Sequence, residues 1–125
     1  MSRNLGKQFE EVAEIFLQRN SCKILEKNYQ VRFGEIDLIV LDDETLAFVE
    51  VRFRSNTKYG GASYSVTKAK QQKLIKAAQL YLIKSKKFKG SACRFDVICI
   101  GADNNVEWFK SAFEMQTPFE KSYYV

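Results

Sequence analysis

The sequence predicts an α/β domain in which a mixed central sheet is flanked by helices. Three observations carry this: an apolar stripe of helical period near the N-terminus, three extended apolar runs parted by short polar turns, and a second long helix followed by two more strands. In order they read α-β-β-β-α-β-β, with no internal repeat, low-complexity stretch or linker. The chain, 1–125, is therefore expected to be one domain, with its core at about 4–113 and a C-terminal extension at 114–125.

Leu5, Phe9, Val12, Ala13, Phe16 and Leu17 repeat with the period of an amphipathic helix, which predicts a helix over about 4–19, ended by Asn20-Ser21. Extended runs follow at about 23–33, 35–42 and 46–54. Gly34 and the cluster Asp42-Asp43-Glu44-Thr45 separate them, the pattern of an antiparallel meander. The Gly- and Ser-rich segment 55–67 reads as a loop. A helix then starts at a Ser65 or Thr67 cap and runs to about 86, with Leu74, Ile75, Ala78, Tyr81 and Leu82 as its apolar stripe. Strands at 93–100 and 105–110 complete the order.

Hydrophobic residues at 46% and aromatics at 14% place the chain among packed globules rather than disordered chains. No apolar run is long enough to span a membrane, and the N-terminal segment, which lacks an apolar core, is not expected to act as a secretory signal. Cys22, Cys93 and Cys99 form no CxxC pair, and the chain has no histidine. That leaves no zinc-site pattern and excludes Ser-His-Asp and Cys-His mechanisms. The thiols are expected to be reduced and the protein cytoplasmic. Any catalysis must rest on carboxylates, lysine, arginine and water, with or without a metal.

Charge is segregated along the chain. Between Glu50 and Asp96 lie twelve Lys or Arg residues and no acid, whereas the remainder carries eight basic and fifteen acidic residues. Such separation is an electrostatic footprint for a polyanion, of which nucleic acid is the commonest. A merely solvated Lys-rich helix face is the plainer alternative.

Carboxylates occupy the middle of two apolar strands: Asp37 in GEIDLIV and Glu50 in FVEVRFR. Burying a carboxylate is costly unless it is paired, hydrogen-bonded or bound to a cation. A hairpin centred near residues 43–44 would set Asp37 opposite about residue 50. Opposed like charges repel, and a divalent cation such as Mg²⁺ turns that repulsion into a site. Glu10 borders the first helix's apolar stripe and is its acid best placed to lean over the sheet; an exposed first-turn acid is the alternative. Glu35, at the start of its strand, is expected to face solvent. Arg52 either pairs with Glu50 or Asp37, or stands beside a bound phosphate, where it could stabilise charge but not act as a base. Tyr59 and Tyr64, in the Gly-rich loop, could stack on unpaired bases or pack locally.

The layout of Asp37 followed about a dozen residues later by Glu50-Val51-Arg52 resembles the motif of PD-(D/E)xK nucleases. Glu10 is similar to the helical acid of the archaeal Holliday-junction resolvases in that superfamily. From about Gly6 to Phe113 the chain resembles the YraN-like family of small bacterial proteins. The matching pieces are Gly6 with Glu10 and Ala13, Asn28, GEIDLIV, FVEVRFR, YGGASYSVTKAKQQKL, CRFDV and EWFKSAF. The resemblance implies a restriction-endonuclease-like fold and a Mg²⁺- or Mn²⁺-dependent endonuclease acting on structured or damaged DNA, in preference to RNA. Asp37 and Glu50 would hold the metal with Glu10 as a further ligand, and Arg52 with Lys70 would serve catalysis. Arg52, Arg54, Lys58, Tyr59, Tyr64, Lys68, Lys70 and Lys73 would meet nucleic acid, and the junction-cutting relatives suggest a homodimer. Arg52 stands where the motif has lysine, so a catalytically inactive nucleic-acid-binding protein of the same fold is the alternative. A factor whose basic surface meets an acidic protein is a third reading.

Overall fold

A computed structural model describes residues 3–32, 34–54 and 66–114. Its elements are α1 (Arg3–Arg19), β1 (Cys22–Val31), β2 (Gly34–Asp42), β3 (Thr45–Arg54), α2 (Lys68–Lys84), β4 (Cys93–Gly101) and β5 (Val106–Phe113). This is the α-β-β-β-α-β-β order expected from the sequence. The five strands lie in the order β1-β2-β3-β4-β5. β1, β2 and β3 form an antiparallel meander, β3 and β4 run parallel across the α2 crossover, and β5 returns antiparallel to β4. The sheet is mixed because only a long crossover can join parallel neighbours.

The two helices cover opposite faces. Ala13 and Leu17 of α1, with Phe9, Val12 and Phe16, pack on Leu38, Val40, Ala47, Val49, Ile98 and Ile100. Leu74, Ile75, Ala77, Ala78 and Tyr81 of α2 pack on Ile36, Ile39, Leu46, Phe48, Phe95, Val97 and Cys99. With both faces covered, the central strands read as almost unbroken apolar runs, and each of their few charges needs a local explanation. Among the described residues no helix is long and apolar enough to cross a membrane.

Local chemistry sets the boundaries. Thr67 caps α2, its hydroxyl accepting from the Lys70 N–H at 3.2 Å, which decides between the two caps the sequence offered. The helix ends at Lys84 rather than about 86, because the chain tightens into a 3₁₀ turn over Lys86–Phe88. β5 continues to Phe113, three residues beyond expectation, after a bulge between Phe95 and Val97 of its partner strand and positive φ at Ser111. The β2–β3 hairpin turns on Asp43 and Glu44, Asp43 having φ 57°, as its Asp-rich sequence predicts.

Candidate functional site

The β2–β3 ladder runs from Asp42↔Thr45 to Leu38↔Val49 and stops one step short of Asp37 and Glu50. The hairpin centre is where the sequence placed it, but the two acids are not a ladder pair. Instead, the Val51 N–H donates to Asp37 Oδ2 at 2.8 Å, a side chain replacing a backbone partner where the strands part. The cause lies partly in β1. Asn28 stands across from Asp37, between the pairs Lys27↔Leu38 and Tyr29↔Ile36, and has φ 53°. Asparagine tolerates this left-handed conformation better than most residues. Alternation breaks at the same level of β2: Ile36 packs on the α2 side, whereas Leu38, two residues on, packs on the α1 side.

That break aims Asp37 at α1. One oxygen each from Glu10, Glu35 and Asp37 lie within 4.8 Å of one another, all three residues being half-buried. Glu35 is thus no solvated strand end, contrary to expectation. It shares Asp37's side of β2, and α1 closes over both. Glu10 occupies the place that its border position on the helical stripe suggested, and the Asn28 side chain hydrogen-bonds it.

Glu50 serves the other helix. It is 6% exposed, and its Oε2 lies 3.0 Å from Lys70 Nζ in the first turn of α2 and 3.8 Å from Arg52 Nε. The predicted Glu50–Arg52 contact therefore exists, but the shorter partner is Lys70. Lys68 and Lys73 are exposed on the same helix. Lys73 Cβ lies 4.0 Å from where a Gly34 side chain would begin, next to Glu35. Arg54 lies apart, 6% exposed and ion-paired with Glu107 of β5. Lys58, Tyr59 and Tyr64 fall outside the described residues.

The electrostatics follow from this crowding. Burial pushes the Asp37 carboxyl up to about 7, with the charges of Glu50, Glu10 and Glu35 adding to it and the Val51 N–H opposing it. Glu10 is raised too, by burial first and then by Glu35 and Glu50, against the hydrogen bond from Asn28.

Asp96 supplies the contrast. It is an acid in an equally apolar strand and is 1% exposed. Both its oxygens face Arg94 Nε at 3.0 Å, Trp108 Nε1 donates at 3.0 Å, and the Ser111 N–H donates at 3.0 Å. Arg94 also reaches Asp42 at 2.6 Å, and Lys110 lies 4.3 Å from the Trp108 ring centroid. Asp96 is a fully hydrogen-bonded strut that fixes the β4–β5 bulge. Sequence reasoning did not single out this network. Its signal, an acid within CRFDVICI, is the one that marked Asp37, and only the surroundings tell a satisfied carboxylate from a crowded one.

Fold and site together define a mixed α/β protein whose five-stranded sheet gathers carboxylates where β2 and β3 part, with lysines arriving from the crossover helix. The chain belongs to the Uncharacterised protein family UPF0102, whose model matches residues 9–100, in agreement with the YraN-like resemblance read from the motifs. A UPF0102 protein of Nitrosomonas eutropha is 48% identical over 113 residues, covering 90% of this chain and 96% of that one. One from Stutzerimonas stutzeri is 44% identical over 116 residues, 90% of this chain and 97% of its own, and one from Vibrio parahaemolyticus is 43% identical over 111 residues, 88% and 92%. The matched 9–100 spans Glu10, Glu35, Asp37, Glu50, Arg52 and Lys70.

Proposed function

We propose that this protein is a metal-dependent nuclease of the restriction-endonuclease-like, PD-(D/E)xK type, hydrolysing phosphodiester bonds in structured or damaged DNA. The observation that carries the proposal is the convergence of Glu10, Glu35 and Asp37 beside the Glu50–Lys70 pair. Like-charged, half-buried carboxylates destabilise one another, and hard oxygen donors in this number suit Mg²⁺ or Mn²⁺. Asp37, Glu10 and Glu35 would hold the ion, with Glu50 adjoining. When bound, it would neutralise the acids and polarise a phosphoryl oxygen.

The remaining roles belong to the chain's own side chains. Lys70 is the ammonium next to Glu50 and takes the part of the motif lysine from a helix rather than from β3. Arg52, with its guanidinium against the same Glu50 oxygen, holds a phosphate oxygen by charge and cannot remove a proton. Lys68 and Lys73 hold the nucleic-acid backbone, and α2, which has no acid in its sequence, keeps that face positive. The catalytically inactive DNA-binding alternative rests on Arg52 at the motif-lysine position.

Calorimetric titration with Mn²⁺ and Mg²⁺ tests the proposal, alongside a cleavage panel of branched, nicked, single-stranded and duplex DNA and RNA. Binding should be lost in Asp37→Ala and weakened in Glu50→Ala, which removes an adjoining negative charge, and Asp37→Asn should abolish cleavage. No divalent binding at millimolar concentration ends the nuclease reading. Metal binding with every substrate intact selects the inactive binder.

A further inference from the structure

We propose that Phe53, stacked on Phe9, is a base-stacking platform beside the carboxylate cluster and selects nucleic acid with an unpaired base over continuous duplex. The inference rests on the nucleic-acid reading above and adds the feature that would choose the substrate. Along β3, Leu46, Ala47, Phe48 and Val49 are at most 2% exposed, yet Phe53 on the same strand is 39% exposed. Phe9 takes one face of its ring, with centroids 4.6 Å apart and planes 14° from parallel. A ring clamped in this way loses little freedom when a second aromatic surface arrives.

Its position ties it to the site. Phe9 immediately precedes Glu10 on α1, and Phe53 lies two residues beyond Val51, whose N–H holds Asp37. Two strand residues span about 7 Å, so the ring adjoins the acids on the α1 side of the sheet. Arg52 and Lys70 hold Glu50 on the α2 side of β3, one residue before the Val51 N–H that binds Asp37. With the exposed Lys68 they would draw phosphates to the opening between the strands, across the sheet from the ring. An apolar ring at the edge of a charged opening would let the backbone be held by charge while a base stacks, as in single-strand binders, since every base has a π-face and a duplex hides it.

The test is fluorescence anisotropy with Ca²⁺ in place of Mg²⁺ or Mn²⁺, a hard cation that would neutralise the carboxylates while keeping cleavage out of the measurement. A labelled short single strand, the same strand with one abasic position moved along it, and a duplex are titrated with wild type, Phe53→Ala and Phe53→Trp. Wild type should prefer the single strand. Phe53→Ala should weaken single-strand binding about tenfold and leave duplex binding unchanged, whereas Phe53→Trp should retain it. On the abasic strand that costs wild type most, Phe53→Ala should cause no further loss. Equal losses on both nucleic acids, or none on either, overturn the platform while leaving nucleic-acid binding in place. A wild type that binds neither overturns the underlying reading and the platform together.

Discussion

Replacing Asp37 by asparagine should stabilise the protein at neutral and alkaline pH, the reverse of what removing a structural carboxylate does. Burial and the surrounding acids push Asp37 from an ordinary 3.8 up to about 7. In the unfolded chain the group gives up its proton near pH 4, whereas the folded protein holds it until about pH 7. Across that window the unfolded state binds fewer protons, so stability falls as pH rises and levels off once the folded group has ionised. A shift of about three units corresponds to about 4 kcal/mol at full development. Asparagine does not titrate, its carbonyl can still accept the Val51 N–H, and its amide can donate to Glu10 or Glu35. The gap between Asp37→Asn and wild type should therefore be small at pH 4.5 and grow to about 4 kcal/mol by pH 8, roughly 15 °C in Tm for a domain of this size. Urea denaturation of both proteins at pH 4.5, 6, 7 and 8 in EDTA measures it. A variant less stable than wild type at pH 8, or a gap independent of pH, would refute the reasoning.

The acids on the two strands that flank β3 should behave oppositely. Asp96→Ala strands Arg94, the Trp108 indole and the Ser111 N–H, and should cost about 3–5 kcal/mol in urea unfolding. Mn²⁺ at millimolar concentration should raise the wild-type Tm at pH 8 and leave that of Asp37→Ala unmoved; an equal rise in both would place the ion elsewhere. Lys70→Ala removes the nearer cation from Glu50, but the lysine is about half exposed. Stability should therefore fall by only about 1 kcal/mol, while cleavage in the nuclease assay disappears. Ile98→Ala, at a fully buried position between β3 and β5, should cost about 2–5 kcal/mol with no change in metal affinity.

Much of the fold is legible locally. The apolar period that separates Phe9 from Ala13 and Leu17 is a property of one helix, and it placed Glu10 at the border of that helix's buried stripe. The turn residues between Asp42 and Thr45 set the hairpin centre, because a two-residue connection leaves one register open to its strands. Asp37, Glu50 and Asp96 each announce themselves as acids in apolar strands.

What local pattern leaves undetermined is which partners those acids meet. Glu35 joined Glu10 and Asp37 because alternation breaks opposite a left-handed Asn28, an event that depends on two strands at once. Lys70 reached Glu50 because the crossover helix returns its first turn over β3, twenty residues away in sequence. Asp96 became a strut only when the Trp108 indole and the Ser111 N–H of β5 closed on it. The sequence by itself determined the elements, their order, the family and the acids that need explaining, since periodicity and turn chemistry act within a few residues. The tertiary structure alone decided which carboxylate is crowded and which satisfied, because the field at a buried charge comes from groups that only packing brings together.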